Sequence, residues 1–100
     1  MSHYRKYAVT TYRNPGEPST RRIRAHPLPG QGVDTSLKVE CSTKMREGHP
    51  IGTIFIIDAM IKRSQDGTPY LATYHGWGYE VVTREQAEKH IAAHFTAFRA

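Results

Sequence analysis

The most regular pattern of apolar and polar positions lies in residues 51–63. Apolar side chains recur there at every second position, and Ile54 and Ile56 add apolar groups on the opposite face. A period of two is typical of a β-strand. Because only the first half of the stretch is apolar on both faces, we expect a strand that is covered on both sides near Ile54 and Ile56 and faces water at its far end.

Two further strands are predicted after this one, in residues 69–75 and 79–82. Asp66-Gly67 predicts the first turn, since glycine adopts positive φ without a steric cost. A break at residues 76–78, with the sequence Gly-Trp-Gly, separates the two later strands. We expect the three strands to be antiparallel and joined by short connections.

A helix is predicted to begin after Thr83. Thr83 and Gln86 have the spacing of a capping box, in which each side chain bonds the backbone N–H of the other residue. The apolar residues that follow at helical spacing on one face are Ala87, Ile91, Phe95 and Phe98. We expect this face to cover the long strand at Ile54 and Ile56.

The N-terminal part of the chain predicts a β-hairpin, with strands in residues 4–13 and 20–26 and a turn at residues 14–17. In the second strand basic side chains alternate with Ile23 and Ala25, which gives the hairpin one basic side. Prolines and glycines in residues 27–32 exclude regular structure. The hairpin is therefore expected to be an arm outside the main core. A short strand is predicted in residues 36–41 and a polar loop in residues 42–48.

Together these elements predict a single domain of the α+β class. Its sheet is expected to be small, antiparallel and curled toward a barrel, with the C-terminal helix packed on it. The expected architecture is comparable to that of SH3-like and OB-like barrels. Architecture alone implies no function. The expected parts are a basic β-hairpin arm (1–26), a Pro/Gly-rich loop (27–35), a β core (36–83) and the C-terminal helix (84–98).

The positive charge of the chain is concentrated near its N-terminus. Of the net charge of +5, residues 1–40 contribute +4, with seven Lys and Arg against three Asp and Glu. Residues 41–100 contribute +1, with seven against six. A local basic face indicates an anionic partner.

The first hypothesis is a small, basic, non-enzymatic module that binds nucleic acid. Arginine can bind two phosphate oxygens at once, and exposed aromatic rings stack on unpaired bases. The candidate residues are Arg5, Arg13, Arg21, Arg22 and Arg24 for the phosphates and Tyr74 and Trp77 for the bases. The plainer interpretation is a charged strand edge that discourages aggregation, with aromatic rings that fill the core.

Two alternatives use other features of the chain. One is a protein–protein interaction or homo-oligomeric assembly module, in which the N-terminal hairpin adds a strand to another chain or to a second copy. The other is a small-ligand pocket between helix and sheet, lined by Phe55, Tyr70, Trp77 and Phe95.

The sequence carries no signature of catalysis, and no cofactor or metal is expected. His90 and His94 have the i, i+4 spacing of two metal ligands, but no third ligand stands at a recognised spacing. Cys41 lies on the apolar face of its predicted strand, where a small core residue is more usual than a nucleophile. A single cysteine fits a reducing compartment, and no stretch resembles a signal peptide or a membrane span, so we expect a cytoplasmic protein.

Overall fold

The computed structural model describes residues 4–13, 23–73 and 78–95. Within these ranges the chain forms six strands and two helices, which confirms a small α+β fold. The strands are β1 (Arg5–Arg13), β2 (Ile23–Pro27), β3 (Lys38–Glu40), β4 (Ile54–Arg63), β5 (Pro69–Thr73) and β6 (Tyr79–Val82), and the helices are α1 (Thr43–Glu47) and α2 (Arg84–Phe95). The predicted turn at residues 14–17 and the predicted helix residue Phe98 lie outside the described residues.

Strand β4 is the centre of the sheet and has neighbours along both edges. On one edge it pairs antiparallel with β1, from Arg5 opposite Ala59 to Thr10 opposite Ile54. On the other edge its second half pairs with β5 and its first half with β6, again antiparallel. The order across the sheet is β2-β1-β4-β5-β3, with β6 beside β4. The long strand predicted from the sequence is therefore confirmed and is the strand with the most partners.

Strands β5 and β6 lie end to end along the same edge of β4. Thr73 lies opposite Ala59, and Tyr79 lies opposite Ile57. These two partners on β4 are two residues apart, whereas Thr73 and Tyr79 are six residues apart. The chain from β5 to β6 is therefore four residues longer than the matching length of β4. Both strands were predicted, but the expectation that all three strands are antiparallel to one another is wrong for β5 and β6, because both pair antiparallel with β4 and so run in the same direction.

The sheet curls into a nearly closed barrel. At one end of the order, β3 pairs with β5 over three residues, and this pairing is parallel rather than the antiparallel one predicted. At the other end, β2 comes close to β3, but no strand pairing joins the two within the described residues. We call this gap between β2 and β3 the seam. Closure of the sheet brings residues together here that are distant in the sequence.

Apolar side chains from all sides fill the barrel, and a second cluster lies under α2. The residues buried in the barrel are Tyr7, Val9, Ala25, Val39, Met45, Phe55, Ile57, Ala59, Leu71 and Phe95. The outer cluster consists of Ala8, Leu28, Ile54 and Ala87, with Ile56, Val82 and Ile91 packed against it. This arrangement confirms that the helix covers β4 at Ile54 and Ile56. Phe55 and Phe95, predicted to line a ligand pocket, instead belong to the core.

The N-terminal hairpin is part of the sheet in its described residues. Strand β1 pairs with β2 from Val9 to Arg13 and with β4 from Arg5 to Thr10. This integration differs from the separate arm that the Pro/Gly-rich stretch suggested, because a loop composition gives no information on which strands pair across it. Strand addition through the hairpin would have to use the outer edge of β2, and it stays a prediction.

Residues 42–48 were predicted to form a loop, and this prediction is wrong. Residues Thr43–Glu47 form α1, which Ser42 caps by accepting the backbone N–H of Met45 at 3.1 Å. The Met45 side chain is 2% exposed and anchors the helix in the core. One buried residue and one cap are sufficient for a single helical turn, but they leave no periodic pattern in the sequence.

The loop at residues 28–33 is attached to β1 through Gln31, whose side chain is 1% exposed. Its Oε1 accepts the backbone N–H of Ala8 at 2.7 Å. Its Nε2 donates to the carbonyl oxygens of Ala8 and Leu28, each at 2.9 Å. Because β2 ends at Pro27, the side-chain amide of Gln31 takes the place of a further strand residue beside Ala8.

The same loop also packs against α2. Gly30 has φ +92°, a conformation that side chains rarely adopt, and a Cβ atom there would lie 3.3 Å from Cγ2 of Ile91. The capping box predicted for α2 is confirmed: the backbone N–H of Thr83 donates to Oε1 of Gln86, and the N–H of Gln86 donates to Oγ1 of Thr83. Neither described helix has the length and apolar composition to cross a lipid bilayer.

Replacing Gln31 tests the role of its side-chain amide. We expect Gln31→Met to lower the free energy of unfolding by about 2–4 kcal/mol, because the buried N–H of Ala8 loses its acceptor while the side-chain length is kept. The matched control is Gln65→Leu at an exposed turn position, which should change stability by less than about 0.5 kcal/mol. Urea unfolding of the three proteins measures both effects, and equal stabilities of the two variants would contradict the assignment.

The capping box gives a second prediction. We expect Thr83→Ala to cost about 1 kcal/mol, since the N–H of Gln86 loses its hydroxyl acceptor, whereas Thr83→Ser should retain most of the stability. Thermal unfolding followed by circular dichroism measures the difference. A serine variant as unstable as the alanine variant would show that the methyl group of Thr83, rather than its hydroxyl, is responsible.

Candidate functional site

A groove of about 1020 Å³ follows the seam between β2 and β3. We call it the seam groove. Its lining comes from the end of β1, from β2, from the segment that leads into β3, from β3 and α1, and from the β4–β5 turn. The polar and aromatic lining residues are Tyr12, Arg24, Asp34, Ser36, Lys38, Glu40, Cys41, Arg46, Ser64, Asp66, Thr68 and Tyr70. Its volume lies at the upper limit of the roughly 300–1,000 Å³ typical of ligand sites.

One end of the seam groove carries two guanidinium groups and an aromatic ring. Arg24 on β2 lies opposite Tyr12 on β1 in the sheet register. Arg46 reaches from α1 to the start of β2, where its Nη1 donates to the carbonyl oxygen of Ile23 at 3.0 Å. The Tyr12 side chain is 38% exposed, and its ring lies 5.1 Å from the ring of His26. This end can therefore offer both cationic groups and a ring face.

The Arg46 side chain also has a structural role at this end. Besides Ile23, it contacts Oγ1 of Thr43 through Nη2 at 3.3 Å. It therefore connects α1 to the free edge of β2 across the seam, where no strand pairing exists in the described residues. A change at Arg46 would alter the barrel as well as the groove, so Arg24 and Lys38 are the better positions to test.

Carboxylates and hydroxyls concentrate at the other end. Lys38, the first residue of β3, lies opposite Tyr70, which follows the β4–β5 turn. Asp34, just before β3, and Asp66, in that turn, are hence at the same end of β3. Oδ1 of Asp34 accepts the backbone N–H and the hydroxyl of Ser36, each at 2.8 Å. Lys38 lies at this end too, and Glu40 lies at the opposite end of β3, so both signs of charge occur along the groove.

Both carboxylates are held in the ionised form by their own loops. Two hydrogen bonds from Ser36, first the backbone one and then the side-chain one, lower the pKa of Asp34. Asp66 accepts bonds from the hydroxyl of Ser64 and the backbone N–H of Thr68, and these bonds lower its pKa from 3.8 to about 2. Both carboxylates are ionised at neutral pH, as an aspartate with an ordinary pKa would also be, and the hydrogen bonds orient them.

A tyrosine that lines the groove lies between two lysines on the outer surface of the sheet. Tyr70 on β5 is flanked by Lys62 on β4 and by Lys38 on β3, in one row across three strands. Directly opposite residues in a sheet have their Cβ atoms about 4.5–5.5 Å apart. Both lysines are exposed, so the row combines a ring with two mobile cations.

Cys41 lines the groove next to Arg46 and packs partly against the core. Burial raises the pKa of the Cys41 thiol, and the nearby Arg46 charge offsets this only in part. Since the thiolate is the reactive form, the environment disfavours a nucleophilic role. Its position nevertheless makes Cys41 a useful reporter of whether the groove is filled.

The predicted phosphate-binding arginines do not lie together. Arg5 and Arg13 are at opposite ends of β1, about 26 Å apart at the usual rise of a strand. Arg5 donates to the carbonyl oxygen of His94, and its guanidinium lies 4.4 Å from the centre of the Phe95 ring. Arg24 lies in the seam groove, and Arg13 lies near that end, opposite Ile23. The other predicted residues, Arg21, Arg22, Tyr74 and Trp77, are outside the described residues.

The two helical histidines bind the backbone. Nε2 of His90 lies 2.8 Å from the carbonyl oxygen of Lys6, and Nδ1 of His94 lies 3.1 Å from the carbonyl oxygen of His90. Because a carbonyl oxygen only accepts, both nitrogens donate. Across residues 4–13, 23–73 and 78–95, no three His, Cys, Asp or Glu side chains lie close enough to hold a metal ion.

Most residues that line the seam groove were not among the site residues predicted from the sequence. Of the groove's charged residues, Arg24 alone was named, while Lys38, Arg46 and the carboxylates were not. Their sequence signal is weak, because they are spread over β3, α1 and two loops, and only closure of the barrel brings them together. Asp34 and Asp66 could have been noticed as loop carboxylates with Ser or Thr two residues away, a pattern typical of Asx turns.

Comparison with known protein families, with curated proteins and with solved structures finds no match to this chain. The chemistry of the seam groove is therefore the basis for assigning a function.

The hydrogen bonds of Asp66 predict a specific acid response. A carboxyl whose pKa is lowered on folding stabilises the fold above its unfolded pKa, near 3.8, and this contribution is lost as the pH falls toward 2. We expect Asp66→Asn to be less stable than the original protein at neutral pH, and the two to converge at about pH 2. A carboxyl titration by NMR checks the cause: Ser64→Ala should raise the pKa of Asp66. Titration of Asp66 near 3.8 in the unaltered protein would contradict the prediction.

Proposed function

We propose that this protein is a non-enzymatic module that binds single-stranded nucleic acid in the seam groove. The observation that carries the proposal is the convergence of Arg24, Lys38 and Arg46 with Tyr12 and Tyr70 on one groove. Proteins that bind single strands combine cations, which follow the phosphates, with rings on which bases stack. Stacking needs unpaired bases, so the two tyrosines favour a single strand over a duplex.

The position of the groove supports the same proposal. It lies on the barrel wall opposite β4, whereas α2 packs on β1 and β4. The helix therefore leaves the seam open to a ligand. Small barrels of the OB type bind oligonucleotides on a sheet face with adjoining loops, and an OB-like relationship is part of the proposal. Arg13, which lies opposite Ile23, stays a predicted contributor together with Arg21, Arg22, Tyr74 and Trp77.

Fluorescence anisotropy with labelled oligonucleotides of about ten nucleotides, at about 50 and 200 mM salt, tests the proposal. We expect saturable binding that weakens with salt, and stronger binding to single strands than to duplexes. The double variant Arg24→Gln/Lys38→Gln should bind about tenfold more weakly at the lower salt concentration. Its salt dependence should also fall by about 0.7 in log–log slope for each phosphate that is no longer neutralised.

The matched control removes the same charge from the opposite wall. Arg84→Gln/Lys89→Gln alters two exposed positions on α2, neither of which lines the seam groove. This variant should bind almost as tightly as the original protein. Absence of binding at the lower salt concentration, or an equal loss of affinity in both double variants, would overturn the proposal.

A further inference from the structure

The seam groove contains more negative charge than a site for phosphates alone would need. Three carboxylates, from Asp34, Glu40 and Asp66, line it together with three cationic side chains. A carboxylate repels a phosphate, so these carboxylates would face another part of a bound strand. The amino groups of bases are the complementary donors, and aspartate and glutamate accept from the N4 amino group of cytosine.

We propose that the seam groove selects bases with an exocyclic amino group, cytosine above all, over uracil and thymine, and that Asp34 and Asp66 are the residues that select them. This inference rests on the proposed binding of single strands. It names the base class that the site prefers, with base edges toward the β4–β5 turn.

The geometry of the two aspartates supports this role. Each is fixed by hydrogen bonds to its own loop through Oδ1: Asp34 by Ser36, and Asp66 by Ser64 and Thr68. A carboxylate has about four acceptor positions, so each retains capacity to accept further hydrogen bonds after these two. A fixed orientation lowers the entropy lost when a ligand binds, which is how preorganised sites gain selectivity.

The aromatic residue at this end lies where it could hold a base in place. Tyr70 lies opposite Lys38, and both line the groove that Asp66 also lines. A base stacked on the Tyr70 ring would present its edge sideways, toward side chains beside the ring. Uracil and thymine carry a carbonyl at the position of the cytosine amino group, and a carbonyl facing a carboxylate is repelled.

The experiment compares homo-oligomers that differ in this one group. Binding of oligocytidine and oligouridine, and of their DNA counterparts oligodeoxycytidine and oligothymidine, is measured by anisotropy at neutral pH and equal length. We expect the cytosine strands to bind at least about fivefold more tightly in both the RNA and the DNA pair. Slower alkylation of Cys41 in the presence of the bound strand locates the ligand in the seam groove.

Asparagine variants separate base selection from a difference in stacking. Asp34→Asn and Asp66→Asn keep the Oδ1 acceptor that each loop requires, but they replace the second oxygen with a donor that suits the carbonyl of uracil. The cytosine preference should therefore shrink to near parity, or reverse, in the double variant. The control Asp58→Asn alters a carboxylate that pairs with Lys6 outside the groove, and it should leave the preference unchanged.

The outcomes distinguish this inference from the function on which it rests. Equal binding of cytosine and uracil strands, with loss of binding in Arg24→Gln/Lys38→Gln, would refute the base preference and retain the proposed function. A cytosine preference that persists in the asparagine double variant would also refute the role of the aspartates. If no strand binds at low salt, or if Cys41 stays equally reactive when a strand is bound, the groove is not a nucleic-acid site and both proposals fail.

Discussion

The whole barrel depends on the pairing of β4 along both of its edges. The β1 strand occupies one edge from Ile54 to Ala59, and β6 and β5 share the other. A strand whose two edges and two faces are all occupied needs apolar side chains on both faces, and Ile54 and Phe55, 5% and 0% exposed, provide them. Helix α2, the loop at residues 28–33 and the core are arranged around this one strand.

The sequence predicted the structural features that neighbouring residues specify. It did not predict the features that depend on closure of the barrel. The period-two pattern of β4, the strand Tyr79–Val82 and the capping box of Thr83 and Gln86 are each specified by neighbouring residues, and all three are present. The parallel pairing of β3 and the place of β1 inside the sheet depend on which strands meet, and no short pattern specifies this. Gln31 shows the same limit, because a glutamine in a Pro/Gly-rich loop gives no sign that its amide will complete a strand.

The same distinction between local features and features that depend on barrel closure applies to the candidate site. A charge count pointed to the first 40 residues, and among the predicted phosphate-binding arginines in the described residues, Arg24 lines the seam groove. The other charged groups come from β3, α1 and two turns, and the barrel selects them by position rather than by sequence distance. Closure also adds carboxylates, so the groove carries charges of both signs instead of one basic face. The carboxylates provide hydrogen-bond acceptors, which a uniform basic patch lacks.

The seam also affects where the barrel unfolds locally. On the β4 wall each strand is hydrogen-bonded to neighbours over four or more residues, while β3 is held by three pairs to β5, and the Arg46 side chain joins α1 to β2. Local unfolding is easiest where few backbone bonds must break, so we expect β3 to open more readily than the strands of the β4 wall. A ligand that bridges the seam would connect β2 and β3. We therefore expect amide hydrogen exchange to become slower in both strands when such a ligand is bound. A strand bound at the seam would therefore act on the part of the described barrel that has the fewest backbone bonds.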